Sequence, residues 1–507
     1  MDLNFPILSL LVFLPLVGAG VTLAVRSSDR AARAIGLAFS LIVLGLGTLL
    51  LLAFMLPEVF RLAGPSAAGF YGVEQYPWVP QVNVGYHLGV DAMSAVLVFL
   101  SALLTPLALG FSWDEHRRVP AFFAMFLAME ATINGVFLSL DLFQFLVFWE
   151  VGLVPMYFII AVWGGPNKRY AAIKFFLYTF LASLPLLVAI FAFYFYAGTF
   201  DMETIILTTP IPVGAIGNLM FLGLLVAFGT KLPTWPLHTW LPDAHVEAPT
   251  GGSVILAGIL LKLGGYALIR FNVQMLPDAA VAMYWSLALL GVISILYGAF
   301  VCLAQDDLKR LVAFSSVSHM GFVTLGIASG VYASLSPATE QGAILGFSGA
   351  VFQMFAHGLI SAALFMVAGS IGHKIGTRNI SELGGIARRV PRMATFLSVA
   401  FLASLGLPGL VGFVAEFSVF VGVYAAFGLL VLIPVVAVVV TAAYYLWAMQ
   451  RSIFGPMNPR WQGMEDLHSY EVTPLSVLSA SFALFGIFPF LIYGFLQAWS
   501  VGILGGL

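Results

Sequence analysis

Seven ionisable residues stand inside long apolar runs of this 507-residue chain: Glu130, Glu150, Lys231, Lys262, His319, His357 and Glu416. A charge at the centre of a bilayer costs roughly 2.5–3.5 kcal/mol. Facing lipid, the five carboxylate and lysine sites would together cost on the order of 12–17 kcal/mol, so they must face inward, pair, or meet water. Acids and bases in a buried file can hand protons along. The plain alternative at each position is a fixed structural ion pair.

The local sequences sharpen these readings. Glu150, in LVFWEVGLVPMYF, has apolar neighbours on all sides. Burial penalises its charged form and a nearby ammonium offsets the penalty, which makes Lys231 its expected partner. Lys262, in LAGILLKLGGYALIR, could snorkel like any long lysine, but its distance from Arg270 sets it deep in its span. His319, in AFSSVSHMGF, neighbours three serines whose hydroxyls can hold water. His357 lies in QMFAHGLIS, and histidine suits a relay because its reference pKa is about 6.5. Glu416, in GLPGLVGFVAEF, is the last buried ionisable group, and Glu130, in FLAMEATING, reads equally well as a second acid or a structural one. Asp91, in LGVDAMS, is expected to cap a helix. Asp243 and His245, in LPDAH, resemble a metal pair only superficially and read as turn or cap residues.

Such groups need helices to position them, and composition supplies the helices. Some 61% of residues are hydrophobic and 9% charged, against roughly 25% charged in soluble domains, so lipid must be the solvent. Runs long enough to cross a bilayer fall near 3–25, 32–55, 88–112, 119–139, 142–163, 171–198, 213–246, 251–270, 280–304, 308–331, 342–370, 394–424, 428–450 and 473–503. This predicts an all-α polytopic membrane protein of about fourteen transmembrane helices in a single membrane domain, 1–507. GTKLPTWPLHTWLP (229–242) and LGLPGLVGF (405–413) carry prolines that predict broken helices. One broken span carries Lys231 and the other Glu416, a pairing that points to an inverted-repeat transporter.

With the N-terminus outside, seventeen of the twenty-one Lys and Arg residues fall on inner loops and adjoining span ends, among them Arg26, Arg30, Arg117, Lys309, Arg310, Arg388 and Arg389. Only Arg61 and Arg270 fall outside, as the positive-inside rule expects. Both termini are therefore expected on the outer side. The opening MDLNFP lacks a basic n-region, so the first run reads as a retained helix. A formal net charge of -2 offers no basic patch for nucleic acid. The single cysteine, Cys302, excludes internal disulfides and a cysteine-ligated cluster held by this chain alone. No P-loop, HExxH or complete dinucleotide fingerprint appears, so no metal or cofactor site is expected here.

FWEVGLVPMYFI, GTKLPTWPLHTWLPDAHVEAPTGGSVILAGILLKLGGYALIRF, DDLKRLVAFSSVSHMGF, QMFAHGLISAALF and SLGLPGLVGFVAEF resemble the chain M (chain 4) family of antiporter-like subunits of NADH:quinone oxidoreductase, respiratory complex I. The resemblance runs from about 85 to 455. It implies fourteen core helices with two inverted five-helix repeats, about 119–270 and about 280–450, flanked by helices in 1–112 and 473–503. It implies proton translocation driven by quinone reduction elsewhere, with Glu150, Lys231, Lys262, His319, His357 and Glu416 on the relay. NADH, FMN, iron–sulfur clusters and quinone would belong to partner subunits. The expected partners are the sister chains L and N within an energy-coupling membrane such as the bacterial inner membrane. Those sisters typically have lysine where this chain has Glu416. Subunits of multisubunit cation/proton antiporters and membrane-bound hydrogenases share the fold and are the alternative.

Overall fold

Proline and glycine decide where the helices of this chain stop. The computed structural model describes residues 2–3, 5–25 and 28–507. In chain order the main elements are α1 (Ile7–Ala24), α2 (Asp29–Met55), β1 (Tyr71–Val79), β2 (Val84–Val90), α3 (Ala92–Phe111), α4 (Val119–Leu138), α5 (Leu142–Trp163) and α6 (Lys168–Ala197). There follow α7 (Ala215–Lys231), α8 (Trp240–Glu247), α9 (Thr250–Gln274), α10 (Pro277–Leu303), α11 (Leu308–Ala333) and α12 (Glu340–Ile375). The chain closes with α13 (Pro391–Ser404), α14 (Val411–Phe427), α15 (Leu432–Ser452), α16 (Ser469–Ile487) and α17 (Phe490–Leu504). Among the described residues twelve helical stretches are long and apolar enough to span a membrane, α14 and α15 counting as one stretch, and α7 and α17 are shorter apolar helices.

Both expected breaks are present. Between α7 and α8 the freed backbone groups find local partners: the Thr234 amide (2.8 Å) and hydroxyl (2.7 Å) donate to Gly229 O, and the Trp235 amide donates to Ser294 Oγ at 2.9 Å. Between α13 and α14 the chain turns through Gly406 and Gly409, at φ +78° and +90°, a conformation that only glycine adopts freely. Irregular backbone at membrane depth needs protein or water around it; at the first break Thr234 and His238 are buried, while at the second Leu407, Pro408 and Gly409 are exposed on this chain.

The structure corrects several boundaries. The expected last span 473–503 is two helices, α16 and α17, separated at Phe488–Pro489. The 56–87 loop contributes a hairpin, β1 pairing antiparallel with β2, so the expected span start at 88 is strand and α3 begins at Ala92. Asp91 does cap α3, accepting from the Ser94 amide at 2.9 Å. Two further unwound turns interrupt α5 at Gly152 and α6 at Ser183. Pro155 and Pro185 lie three and two residues beyond them, and each lacks the N–H that would continue the ladder.

Two basic residues assigned to loops are buried. Arg270 has no exposed surface and donates to Asp91 Oδ2 at 2.7 Å, and Lys309 is 3% exposed. Arg26 lies outside the described residues.

The centre of the bundle is α9, α11 and α12, buried throughout their most apolar stretches. These three helices carry Lys262, His319 and His357. Matching backbone clamps hold the flanking helices at opposite ends of the bundle. At one end the Leu142 amide donates to Phe200 O and the Met202 amide to Leu140 O, both at 2.8 Å. At the other the Leu308 amide donates to Arg378 O at 3.0 Å and the Ile380 amide to Asp306 O at 2.7 Å. Asp141 and Asp307 cap α5 and α11 beside these clamps.

Candidate functional site

The site begins at the first break. Lys231 closes α7, and its Nζ lies 3.5 Å from the centre of the Trp149 ring and 3.3 Å from Trp149 O. An ammonium over an indole face is held by the ring's quadrupole. α9 reaches this point closely because it presents Gly264: a Cβ there would stand 2.5 Å from Phe228 O. Glu150 is held by the Ser183 hydroxyl, at the unwound turn of α6, and its Oε2 has no hydrogen-bond partner. Glu150 and Lys231 are electrostatic partners, as expected, but no ion pair within 4.0 Å joins them among the described residues. The lysine rests on the neighbouring indole instead.

Beyond it the file is continuous. A π-helical turn, Leu256–Leu260, precedes Lys262, whose Nζ donates to Ala257 O at 2.5 Å and lies 2.7 Å from His357 Nδ1. π-Turns widen a helix and recur at functional sites. The His357 and His319 rings are 5.7 Å apart between centroids. His319 Nδ1 is 3.1 Å from Glu416 Oε1, and Nε2 is 3.2 Å from Ser404 Oγ, which donates to Tyr445 Oη at 2.7 Å. Glu416 packs under the second break, so a Cβ at Gly406 would come within 3.0 Å of its Oε2. The structure thus joins Lys262, His357, His319 and Glu416, with Lys231 and Glu150 at the far side. Glu130 stands apart on α4, 1% exposed, with both oxygens lacking a hydrogen bond of normal geometry.

Sequence reasoning passed over three groups. His245 is no cap: it is wholly buried, stacked on Phe365 at 4.3 Å between centroids, with neither ring nitrogen hydrogen-bonded. Asp243 is no cap either, and pairs with Lys174 at 2.6 Å. His238 is buried against Tyr297 with its Nδ1 unpartnered. His238 lies in the break and His245 on α8 just after it, so histidines in and beside a proline-broken span were the available signal. Such unpartnered buried atoms are where ordered water binds.

Proline-broken helices crossing a bundle around a file of buried acids and bases define a polytopic protein built to move protons or small cations. The chain belongs to the NADH:quinone oxidoreductase/Mrp antiporter transmembrane family, whose model matches residues 139–442. It is 42% identical over 494 residues to F(420)H(2) dehydrogenase subunit M of Methanosarcina mazei, covering 96% of this chain and 95% of that one. It is 39% identical to NADH-quinone oxidoreductase subunit M of Rhodobacter capsulatus, covering 96% and 94%. A chain of respiratory complex I from Thermus thermophilus superposes with a TM-score of 0.84 at 29% identity, over 98% of this chain and 99% of its own.

Proposed function

We propose that the chain is the proton-translocating, antiporter-like membrane subunit of an NADH:quinone oxidoreductase of the complex I type, with no redox centre of its own. The carrying observation is the file from Lys262 through His357 and His319 to Glu416, with Lys231 at the end of the first broken helix and Glu416 on the second. The Lys262–His357 contact shares one proton between an amine and an imidazole, so either nitrogen can release it. His319 presents one nitrogen to Glu416 and the other to Ser404, so a proton can arrive on one side of the ring and leave from the other. Lys231 lies over the Trp149 ring with no carboxylate in contact, and swinging Glu150 toward or away from it changes how firmly a proton is held there.

Quinone reduction, with NADH, FMN, iron–sulfur clusters and quinone, belongs to partner subunits in this reading. The sister chains L and N are the neighbours, and the relay sites are Glu150, Lys231, Lys262, His319, His357 and Glu416, with Glu130 as an auxiliary acid. About fourteen spans arranged as two inverted repeats, about 119–270 and about 280–450, are supported by the matching clamps at the N-termini of α5 and α11, on opposite ends of the bundle. Both termini face outward in a bacterial inner membrane. The likeness to a F(420)H(2) dehydrogenase subunit favours a second reading, in which another electron donor feeds the same pump.

The test is Lys231→Ala in the assembled complex. Reduction of an artificial acceptor that bypasses quinone stays intact, while quinone reduction and proton-gradient formation in vesicles fall together. Unchanged pumping at normal complex content defeats the relay and leaves a scaffold of fixed charges.

A further inference from the structure

At the second break a hydroxyl touches the buried file. Ser404 is the last residue of α13, and its Oγ lies 3.2 Å from His319 Nε2. That hydroxyl has one proton and two neighbours able to accept it. Tyr445 Oη, on α15, is the nearer at 2.7 Å and takes it. Ser315, one turn before His319 on α11, is the next hydroxyl within reach of Tyr445, and its own proton is on Val312 O at 2.8 Å. All four side chains are buried, Tyr445 with no exposed surface, so bulk water does not compete for these bonds. The Tyr445 ring is held in place by Phe401 and Tyr444, at 4.9 Å and 4.4 Å between centroids.

Counting protons along this chain of hydroxyls fixes the imidazole. With its proton on Tyr445, Ser404 offers His319 only a lone pair, so Nε2 must carry the hydrogen of that bond. A neutral imidazole has a single N–H, which leaves its Nδ1 bare. Nδ1 faces Glu416 Oε1 at 3.1 Å, and two bare acceptors at that distance repel. One further proton between Nδ1 and Oε1 removes the repulsion, whether the ring or the carboxyl holds it.

We infer that Ser404 and Tyr445 are positioning residues for the relay: they hold the hydrogen of His319 on Nε2, so that a proton arriving along the file has one seat, between Nδ1 and Glu416. The two ring nitrogens are thereby made unlike, one already loaded and one waiting. No electron moves, and no bond other than N–H and O–H changes. Without the Tyr445 hydroxyl the Ser404 proton turns to Nε2, and the ring hydrogen moves to Nδ1, where it bonds an ionised Glu416. The seat is then filled with no proton delivered, and loading the pair needs a higher proton concentration. The inference rests on the relay reading above.

The experiment is Tyr445→Phe, which deletes one oxygen, in the intact complex in inside-out vesicles, with proton translocation followed against pH. The titratable groups around the ring are His357 from α12, Glu416 from α14, Tyr444 on α15 and Cys302 from α10 beside Tyr445, with Lys262 from α9 beyond His357. The substitution leaves all of them in place. The alkaline limb of the profile is expected to move toward acid by about one pH unit, the roughly tenfold change in proton affinity that one lost hydrogen bond makes. Lowering the pH should restore translocation. Ser404→Ala removes the same bond from its other end and is expected to give the same shift, with no more in the double variant. Artificial-acceptor activity reports complex content for each. A loss equal at every pH, an unmoved profile, or a double variant whose shift is the sum of the single ones overturns the inference. If Tyr445→Phe fails to assemble, Ser404→Ala alone decides. Lys231→Ala runs in parallel. If it abolishes translocation while Tyr445→Phe keeps the ordinary profile, the relay stands and the positioning chain fails. If Lys231→Ala translocates normally, the relay fails and takes this inference with it.

Discussion

The two broken helices use the same parts with opposite polarity. At the first, the base is on the broken helix (Lys231) and the acid on the second helix of that half (Glu150); at the second, the acid is on the broken helix (Glu416) and the base on the corresponding helix (His319). The difference lies in contact. His319 and Glu416 meet at 3.1 Å, whereas Lys231 sits over the Trp149 ring and Glu150 is held by Ser183. A closed pair keeps its proton in a fixed place. An open pair has two resting partners, an indole and a serine, and a third arrangement in which acid and base touch. On the proposed relay, the open region is the one that switches and the closed region the terminus that receives.

Glu150→Gln strikes the open pair hardest. It removes the charge that Lys231 can move toward, and gradient formation in vesicles should fall steeply while assembly survives. Glu150→Asp should be milder because the charge remains. Normal pumping by Glu150→Gln would make the open pair scaffold, no different in kind from the closed one.

At the closed pair, Glu416→Ala should also impair pumping strongly, and it strands the His319 Nδ1 in a buried site at a stability penalty of about 1–3 kcal/mol. The lysine that the resembling sister chains carry at this point suggests that Glu416→Lys is partly tolerated. With His319 3.1 Å away, a lysine there meets a like charge whenever the ring is protonated, so Glu416→Lys should pump worse than Glu416→Gln. The reverse order would show that His319 and Glu416 do not act as a pair.

Trp149→Leu is a finer probe. It deletes the ring face under Lys231, an interaction of about 0.5–2 kcal/mol, and should bias the lysine toward Glu150. Turnover should drop several-fold with the proton-to-electron ratio unchanged. A complete loss would show that the indole does more than park the ammonium.

The smallest effect separates the two clamps. At the α5 clamp, His87 on β2 lies 3.5 Å from Asp201 and 3.3 Å from Glu203. Burial alone would pull its pKa down, but the two carboxylates override burial and hold it at about 9. A folded-state pKa above the ordinary value of about 6.5 means the clamp's stabilisation is full below that pH and lost as pH rises toward 9. At the α11 clamp the pair is Arg378 with Asp307 at 3.1 Å, with no imidazole in it. Thermal unfolding in detergent should therefore weaken between pH 6.5 and 9, by at most about 3 kcal/mol at 1.36 kcal/mol per pKa unit. His87→Gln should flatten the profile. A profile unchanged by His87→Gln would remove the distinction between the clamps.

The sequence by itself determined the solvent, the helices and the candidates. With so few charges and such long apolar runs, only spanning helices satisfy the backbone, and an ionisable residue in such a run has few reasons to be there except function or pairing. Pro233, Pro236 and Pro408 likewise announced both breaks, because a missing N–H is a local fact. Pro155 and Pro185 carried the same signal for the turns at Gly152 and Ser183, one beside Glu150 and one holding it, and went unread. Partner choice was decided only by tertiary structure. Lys231 meets Trp149 rather than Glu150, His319 meets Glu416, and His245 joins the buried file rather than a cap. Each contact joins different helices, and which faces meet depends on how far glycines such as Gly264 let backbones approach. Sequence periodicity gives a helix its faces, but packing alone decides what each face touches.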